Sequence, residues 1–409
     1  MTTSQRTKLL GLLALTAVAA ALAWQIYSRH QRTSEPTVRV QQTLMGTLWS
    51  VQVWVPEGDP ARVRRDIAEA LEEVARVESV MSEWRQDSPI SRLNRSAGGP
   101  GREVPAELAA IIERGIEYGR LSGGAFDISW KGMGDLWSFG DDFRIPSQAE
   151  IEQALSRVDY RLIEVEDPLK AEGSNSDATA GTARGDADQA AATARESAGQ
   201  PGDAAQPSLG AAVRVGLPKP GMALGLGGIA KGYGIDRAGA VLREMGYANF
   251  LVDGGGDVLT SGRRAGRPWR VGIQNPRSVQ GSAASTPAAR PDGGASMAGA
   301  GQPLLGYVEV SGGAVATSGD YQRFRIVDGV RYHHIIDPRS GRPARGCRSV
   351  TVLAPSAEQA DALATAIFVL GPEEGLALAD SLEKVETLIV DSRGSIQKTA
   401  GFPFSTGRP

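Results

Sequence analysis

Residues 332–341 read Tyr-His-His-Ile-Ile-Asp-Pro-Arg-Ser-Gly, and His333 and His334 are two of only three histidines in the chain. Two readings fit. Asp337-Pro338 through Ser340-Gly341 is good turn chemistry, because Pro presets φ and Gly accepts positive φ, so a strand running into a turn explains the segment. An active-site segment with one histidine as proton acceptor explains it too. Asp361 and Thr365 stand four apart, which on a helix puts a carboxylate and a hydroxyl on one face. Such a pair suits Mg²⁺, which keeps several waters and borrows phosphate oxygens; an ordinary polar stripe on a core-facing helix has the same spacing. Leu224-Gly225-Leu226-Gly227-Gly228-Ile229-Ala230-Lys231-Gly232 leads from glycines into a helix. Amides at a helix start attract phosphate, and glycine lets a ligand approach the backbone. The spacing is not that of a P-loop, since Lys231 lies between Ala230 and Gly232, and it fits a dinucleotide fingerprint only if Ala230 replaces the third glycine. Lys231 opposes the helix dipole unless an anion sits beside it.

Three further segments draw notice. Asp127 follows Gly123-Gly124-Ala125-Phe126 and precedes Ile128, a setting in which a carboxylate is costly without a partner. Trp84, in Met81-Ser82-Glu83-Trp84-Arg85, offers a flat face to a heteroaromatic ring. Asp253-Gly254-Gly255-Gly256-Asp257 reads as a tight glycine-forced turn, and Thr317-Ser318-Gly319-Asp320-Tyr321 as a hairpin tip.

The elements that must position these residues alternate along the chain. Residues 43–55 read as a strand. Asp59-Pro60 caps a helix with Val63, Ile67, Leu71, Val74 and Met81 on one face. Pro105 opens a second helix carrying Leu108, Ile111, Ile112 and Ile116, and Ser147-x-x-Glu150 is a capping box for a third. A fourth runs from Ile229 to Met245 and stops at Gly246. Strands follow at 250–252, 269–273, 307–310, 324–327, 332–336 and 350–353. Ser356-x-x-Gln359 caps a long helix that ends near Leu370-Gly371. Helices and strands mix without a βαβ rhythm, which predicts an α+β fold with a mixed, mostly antiparallel sheet and packed helices.

Net charge is −3, with Lys+Arg 44 against Asp+Glu 47, which gives no footing for nucleic acid. Cys347 is the only cysteine. That excludes an internal disulfide and leaves too few soft ligands for a zinc cluster, so a metal here would be bound by oxygen, as Mg²⁺ or Ca²⁺. Arg6 and Lys8 precede an apolar run from Leu9 to Ala23, closed by Arg29, His30 and Arg32. Residues 1–33 therefore read as a signal peptide or a membrane anchor, with the rest of the chain outside the cytoplasmic membrane. No cysteine follows the run, so it is not a lipoprotein signal. Residues 171–211 and 279–303 carry almost no large apolar side chains and read as disordered insertions within one folded unit spanning 38–409.

In order, Met45-Gly46-Thr47, MSEWRQDSPISRLN (81–94), GAFDIS (124–129), LGGIAKGYGIDRA (226–238), DGGGDV (253–258), TSGDYQRF (317–324), HHIIDPRSGRPA (333–344) and VTVLAPSAEQADALATAIFVLG (350–371) resemble the ApbE-type FAD:protein FMN transferases. The resemblance covers about residues 40–409, apart from the two insertions. It implies an extracytoplasmic, Mg²⁺-dependent enzyme of ApbE-like fold. Such an enzyme moves FMN from FAD onto a Thr or Ser hydroxyl of an acceptor flavoprotein and releases AMP. By that resemblance Asp361, Thr365 and the Gly228 carbonyl would hold the metal, and Lys231 would neutralise the diphosphate. Met45, Trp84, Ala125, Phe126, Asp127 and Ile336 would contact FAD. His334 would be the base, with Asp337 orienting it and His333 structural. Gly225 departs from the family, where many members carry Asp. A Mg²⁺-dependent FAD pyrophosphatase and a non-catalytic flavin-binding protein are the alternatives.

Overall fold

The computed structural model of the protein describes residues 37–139, 142–166, 212–277 and 303–406. Residues 1–33, and all of the two expected insertions except Pro303, lie outside them.

An eight-stranded sheet forms the middle layer. Its strands run, in spatial order, Thr37–Leu44, Thr47–Trp54, Phe250–Gly254, Asp257–Ser261, Gly312–Gly319, Cys347–Ala354, Glu386–Asp391 and Ile396–Lys398. Every pairing among the described strands is antiparallel, in agreement with the sequence pattern. Side chains alternate between faces along each strand. In Phe250–Gly254, Phe250 and Val252 enter the main core while Leu251 enters a second one. In Gly312–Gly319, Ala314 and Ala316 face the main core and Val315 the other. The main core is closed by helices, and the second by a three-stranded sheet of Trp269–Gln274, Leu304–Val310 and Phe404–Ser405. Both faces of the central sheet are thus covered, which is why its strands carry apolar side chains on both sides.

The helices begin where their caps predict. Asp59 accepts from the Ala61 amide ahead of Pro60–Met81, and Ser147 and Glu150 complete a capping box for Gln148–Leu155. Val63, Ile67, Leu71, Val74 and Met81 are all buried. The single strand expected at 43–55 is instead a hairpin. Met45 (φ 48°) and Gly46 (φ 71°) form its two-residue turn. Two successive positive φ values are what a tight hairpin requires, and a methionine in that region is unusual. Thr317–Gly319 is no hairpin tip either. It ends the Gly312–Gly319 strand, whose neighbours are Asp257–Ser261 and Cys347–Ala354.

Two helices position the site: Ala230–Glu244, the lysine helix, and Ala357–Leu370, the aspartate helix. Each caps the other. Ile229, at the N-cap of the lysine helix, has no side-chain acceptor, and Asp361 Oδ2 supplies one by accepting from the Gly232 amide at 3.0 Å. In return Asp236 accepts from the amides of Ala357 (2.8 Å) and Glu358 (2.9 Å). Amides in a helix's first turn lack intrahelical partners, so both contacts satisfy groups that would otherwise be stranded. The approach is close enough to require glycine. A Cβ on Gly232 would collide with the Ala357 carbonyl and lie 2.7 Å from Glu358 Cα.

Candidate active site

The reciprocal caps bring the glycine loop against Asp361 and Thr365. A Cβ built on Gly228 would sit 3.4 Å from Thr365 Oγ1 and 3.1 Å from the Phe126 ring, so only glycine leaves that space open. Ser318 Oγ lies 3.3 Å from Thr365 Oγ1. Lys231 Nζ pairs with Asp257 Oδ2 and stands 3.6 Å from Asp361 Oδ1. Asp257 Oδ1 accepts from the Thr317 amide at 3.1 Å. Asp257 and Asp361 are only 3 % and 6 % exposed. Two buried carboxylates around one ammonium leave a net negative charge away from water, an arrangement that a further cation relieves.

Burial also pushes the neighbouring Asp253 up to about 6, against the pull of Arg39 and Lys231. Its Oδ1 accepts from the Gly256 amide at 2.9 Å, which shapes the turn. That turn does more than the sequence reading gave it, because it delivers Asp257 to Lys231. Asp257 and Ser318 are the site residues the sequence left unmarked. The only sequence signal for Asp257 was an acidic residue on each side of three glycines.

The remaining expected residues fall into three groups. Ala125 and Phe126 are buried beside the loop, with the Phe126 ring edge-on to Tyr118 at 6.0 Å. Asp127 Oδ1 accepts from the Ser129 amide (2.7 Å) and hydroxyl (2.6 Å), and its Oδ2 from the Tyr160 amide (3.0 Å). The partner its buried carboxylate needed is thus local backbone, capping the 3₁₀ helix Ile128–Met133. Met45 reaches the lysine helix, where a Cβ on Gly234 would lie 3.1 Å from Met45 Cε. Trp84 is 72 % exposed, with Lys131 Nζ 4.3 Å from its ring centroid. Lys131 also approaches Trp130, whose indole N–H donates to the Gly225 carbonyl at 3.0 Å. A Cβ on Gly225 would meet that indole at 2.7 Å. Trp130 therefore occupies the ground where a larger residue at 225 would stand.

The two histidines differ in setting, His333 being 3 % exposed and His334 half-buried. His333 Nδ1 accepts from the Ile335 amide at 3.3 Å, so Nε2 carries the proton and donates to the Ala344 carbonyl at 2.7 Å. Its ring packs edge-on against Phe368 of the aspartate helix. His334 Nδ1 is buried without a hydrogen-bond partner. Burial, with His333 and Arg323 adding to it, pushes the His334 imidazole down to about 4, so it is neutral at ordinary pH. Asp337 does not orient it. That carboxylate accepts from the amide and guanidinium of Arg339 at 2.9 Å, an adjacent partner reached without leaving the turn. Ile336 is half-buried, in a two-residue strand paired with Arg342–Pro343.

Among the described residues no group of three or more His, Cys, Asp or Glu side chains converges on one point. The oxygens at 228, 361 and 365 are hard donors, and their one carboxylate, one hydroxyl and one carbonyl leave positions for water and substrate. That set fits Mg²⁺ and does not fit zinc.

An antiparallel α+β body that brings a glycine loop and Lys231 against Asp361 and Thr365 defines the class, an α+β enzyme. The chain belongs to the ApbE family, whose profile matches residues 45–389. A relative from Treponema pallidum named FAD:protein FMN transferase is 32% identical over 376 residues, covering 88% of this chain and 86% of the relative. One of the same name from Vibrio cholerae is 27% identical, covering 90% and 91%. The crystal structure of the ApbE protein from Thermotoga maritima superposes with a TM-score of 0.67 at 29% identity, covering 89% of this chain and 97% of that one. The flavin transferase ApbE from Vibrio cholerae gives 0.64 at 25% identity, covering 89% and 96%.

Proposed function

We propose that this chain is a Mg²⁺-dependent FAD:protein FMN transferase that moves FMN onto a Thr or Ser hydroxyl of an acceptor flavoprotein and releases AMP. The observation that carries the reading is the meeting of Asp361 and Thr365 with the glycine loop and Lys231. Phosphoryl transfer asks for alignment and charge neutralisation more than for a covalent protein nucleophile. Asp361, Thr365 and the Gly228 carbonyl would hold the metal, which when bound neutralises charge on the diphosphate. Lys231, held by Asp257, presents its ammonium to the same phosphates. Met45, Trp84 and Phe126 supply apolar and aromatic surface for the flavin and adenine. The acceptor oxygen bonds to the FMN phosphorus, the bond from that phosphorus to the bridging oxygen of the diphosphate breaks, and AMP leaves with that oxygen. The hydroxyl proton passes to the neutral His334. We further propose that residues 1–33 place the chain on the extracytoplasmic side of the membrane. A reporter active only outside the cytoplasm, fused after residue 409, tests that placement.

The enzyme is tested with FAD, Mg²⁺ and a purified acceptor domain known to carry covalent FMN. Mass spectrometry should show acceptor gaining one FMN, with equimolar AMP, and EDTA should abolish both. Asp361→Ala should lose turnover while remaining folded by circular dichroism. FMN and AMP formed at the same rate without acceptor would make the protein a pyrophosphatase, and intact FAD under all conditions would make it a binding protein.

A further inference from the structure

The hairpin of Phe324–Val327 and Val330–His333 pairs with no other described strand, yet His334 follows directly from it. An isolated two-stranded hairpin is marginal in water, so something else must hold it in place. The His334 amide donates to the Arg323 carbonyl at 3.1 Å, continuing the pairing by one residue. Beneath the hairpin lies Asp320, only 4 % exposed. Its carboxylate takes a bidentate pair from Arg277, Nη1 and Nη2 each at 2.8 Å. Arg331, on the second strand, places Nε 3.7 Å from Asp320 Oδ2 and donates through Nη1 to the Asp320 carbonyl at 3.4 Å. The Arg331 guanidinium also lies over the Phe324 ring, 3.7 Å from its centroid, so it crosses from one strand to the other. One buried carboxylate thus binds the end of the Gly312–Gly319 strand, the segment at Arg277 and the hairpin. That strand also carries Ser318, which faces Thr365, so the connection runs from the site to the hairpin.

We propose that Asp320 is a positioning residue for His334, fixing through Arg331 and Arg277 the hairpin from which His334 projects. The proposal rests on His334 being the base of the transfer reaction. Asp320 does not touch the reacting atoms. It holds the hairpin, and with it the backbone of His334, against the end of the Gly312–Gly319 strand.

Asp320→Asn in the full chain keeps the shape of the side chain and removes its charge. NMR titration of the His334 Cε1 proton reads the consequence, and the chain's three histidines make assignment by His334→Gln direct. The sign separates the explanations. The titratable or charged groups nearest His334 are His333, itself a neutral ring, and Arg323. Loss of a nearby negative charge by itself lowers an imidazole's titration point, whereas release of the hairpin into water raises it. A rise of one pH unit or more is expected, with kcat for FMN transfer down at least tenfold and KM for FAD within twofold. Arg331→Gln leaves the Arg277–Asp320 pair intact and should give the same pattern, which covers the case in which Asp320→Asn fails to fold. A folded variant of either kind with wild-type kcat and an unmoved or lowered His334 titration overturns the proposal. The NMR arm needs neither acceptor nor turnover. A wild type that transfers no FMN would defeat the functional reading while the titration still reports on positioning.

Discussion

At the scale of single residues, the least expected feature is an imidazole with a buried nitrogen that nothing satisfies. Burial pushes His334 down to about 4, so the ring is unprotonated across the physiological range. His334→Ala should cut FMN transfer about 10²–10⁴-fold, the usual worth of a general base, and leave FAD affinity within a few-fold by fluorescence titration. In wild type the acid limb of kcat should fall near pH 4 and not near 6.5; a limb at 6.5 would show the ring to be solvated. Stability carries the same signature. Between about 4 and 6.5 the unfolded chain binds a proton at this ring and the folded chain does not, so stability falls as pH drops through that window. Burial pushes Asp253 up to about 6 and Asp236 up to about 7, which acts in the opposite sense. Wild type is therefore best compared with His334→Gln by urea melts from pH 7 to pH 4, where the variant should lose less.

At the scale of elements, the two site helices are one device. Asp361 is a cap for the lysine helix before it is anything else, and Asp236 repeats that role for the aspartate helix. Gly232→Ala would push a methyl group into the Ala357 carbonyl. Overpacking of this kind costs about 1–3 kcal/mol, and here it must also part Asp361 from the glycine loop. A lowered urea midpoint together with loss of Mg²⁺-dependent turnover is expected; full activity in a destabilised variant would uncouple the caps from the site. Part of this was legible in sequence. Asp361 and Thr365 share a face by their i, i+4 spacing, but an ordinary polar stripe has that spacing too, and the family resemblance was what singled them out. The glycine loop was legible only as part of the family resemblance, because close packing explains glycines at a helix start nearly as well. The mutual caps were not. Asp236 looks like any polar residue of a helix, and its partners lie 121 and 122 residues away. Asp257 was hidden for the same reason, since its pairing with Lys231 depends on which strand lies beside which helix. Asp337 misled because a carboxylate three residues from a histidine looks like its partner, while a nearer arginine takes it.

At the scale of the whole molecule, the two long breaks in the described chain, after residues 166 and 277, fall at closed pairs of strands. Glu164 and Val165 pair with Gly216 and Val215, and the Glu166 amide donates to the Arg214 carbonyl at 2.9 Å. Gln274 pairs with Leu304, and the Asn275 amide donates to the Pro303 carbonyl at 3.1 Å. Each long segment therefore leaves and re-enters the body through neighbouring strands, where a turn of a few residues would close the gap. Replacing residues 168–210 with a four-residue glycine-containing turn should keep the fold and FMN transfer. A shorter connection has less freedom to lose on closure, and the logarithmic dependence on length allows a gain of up to about 2 kcal/mol. Thermal melting and acceptor flavinylation of the shortened chain check this. A lower melting temperature, or a higher KM for acceptor with unchanged FAD affinity, would give the segment a part in stability or in acceptor recognition that strand pairing alone does not assign it.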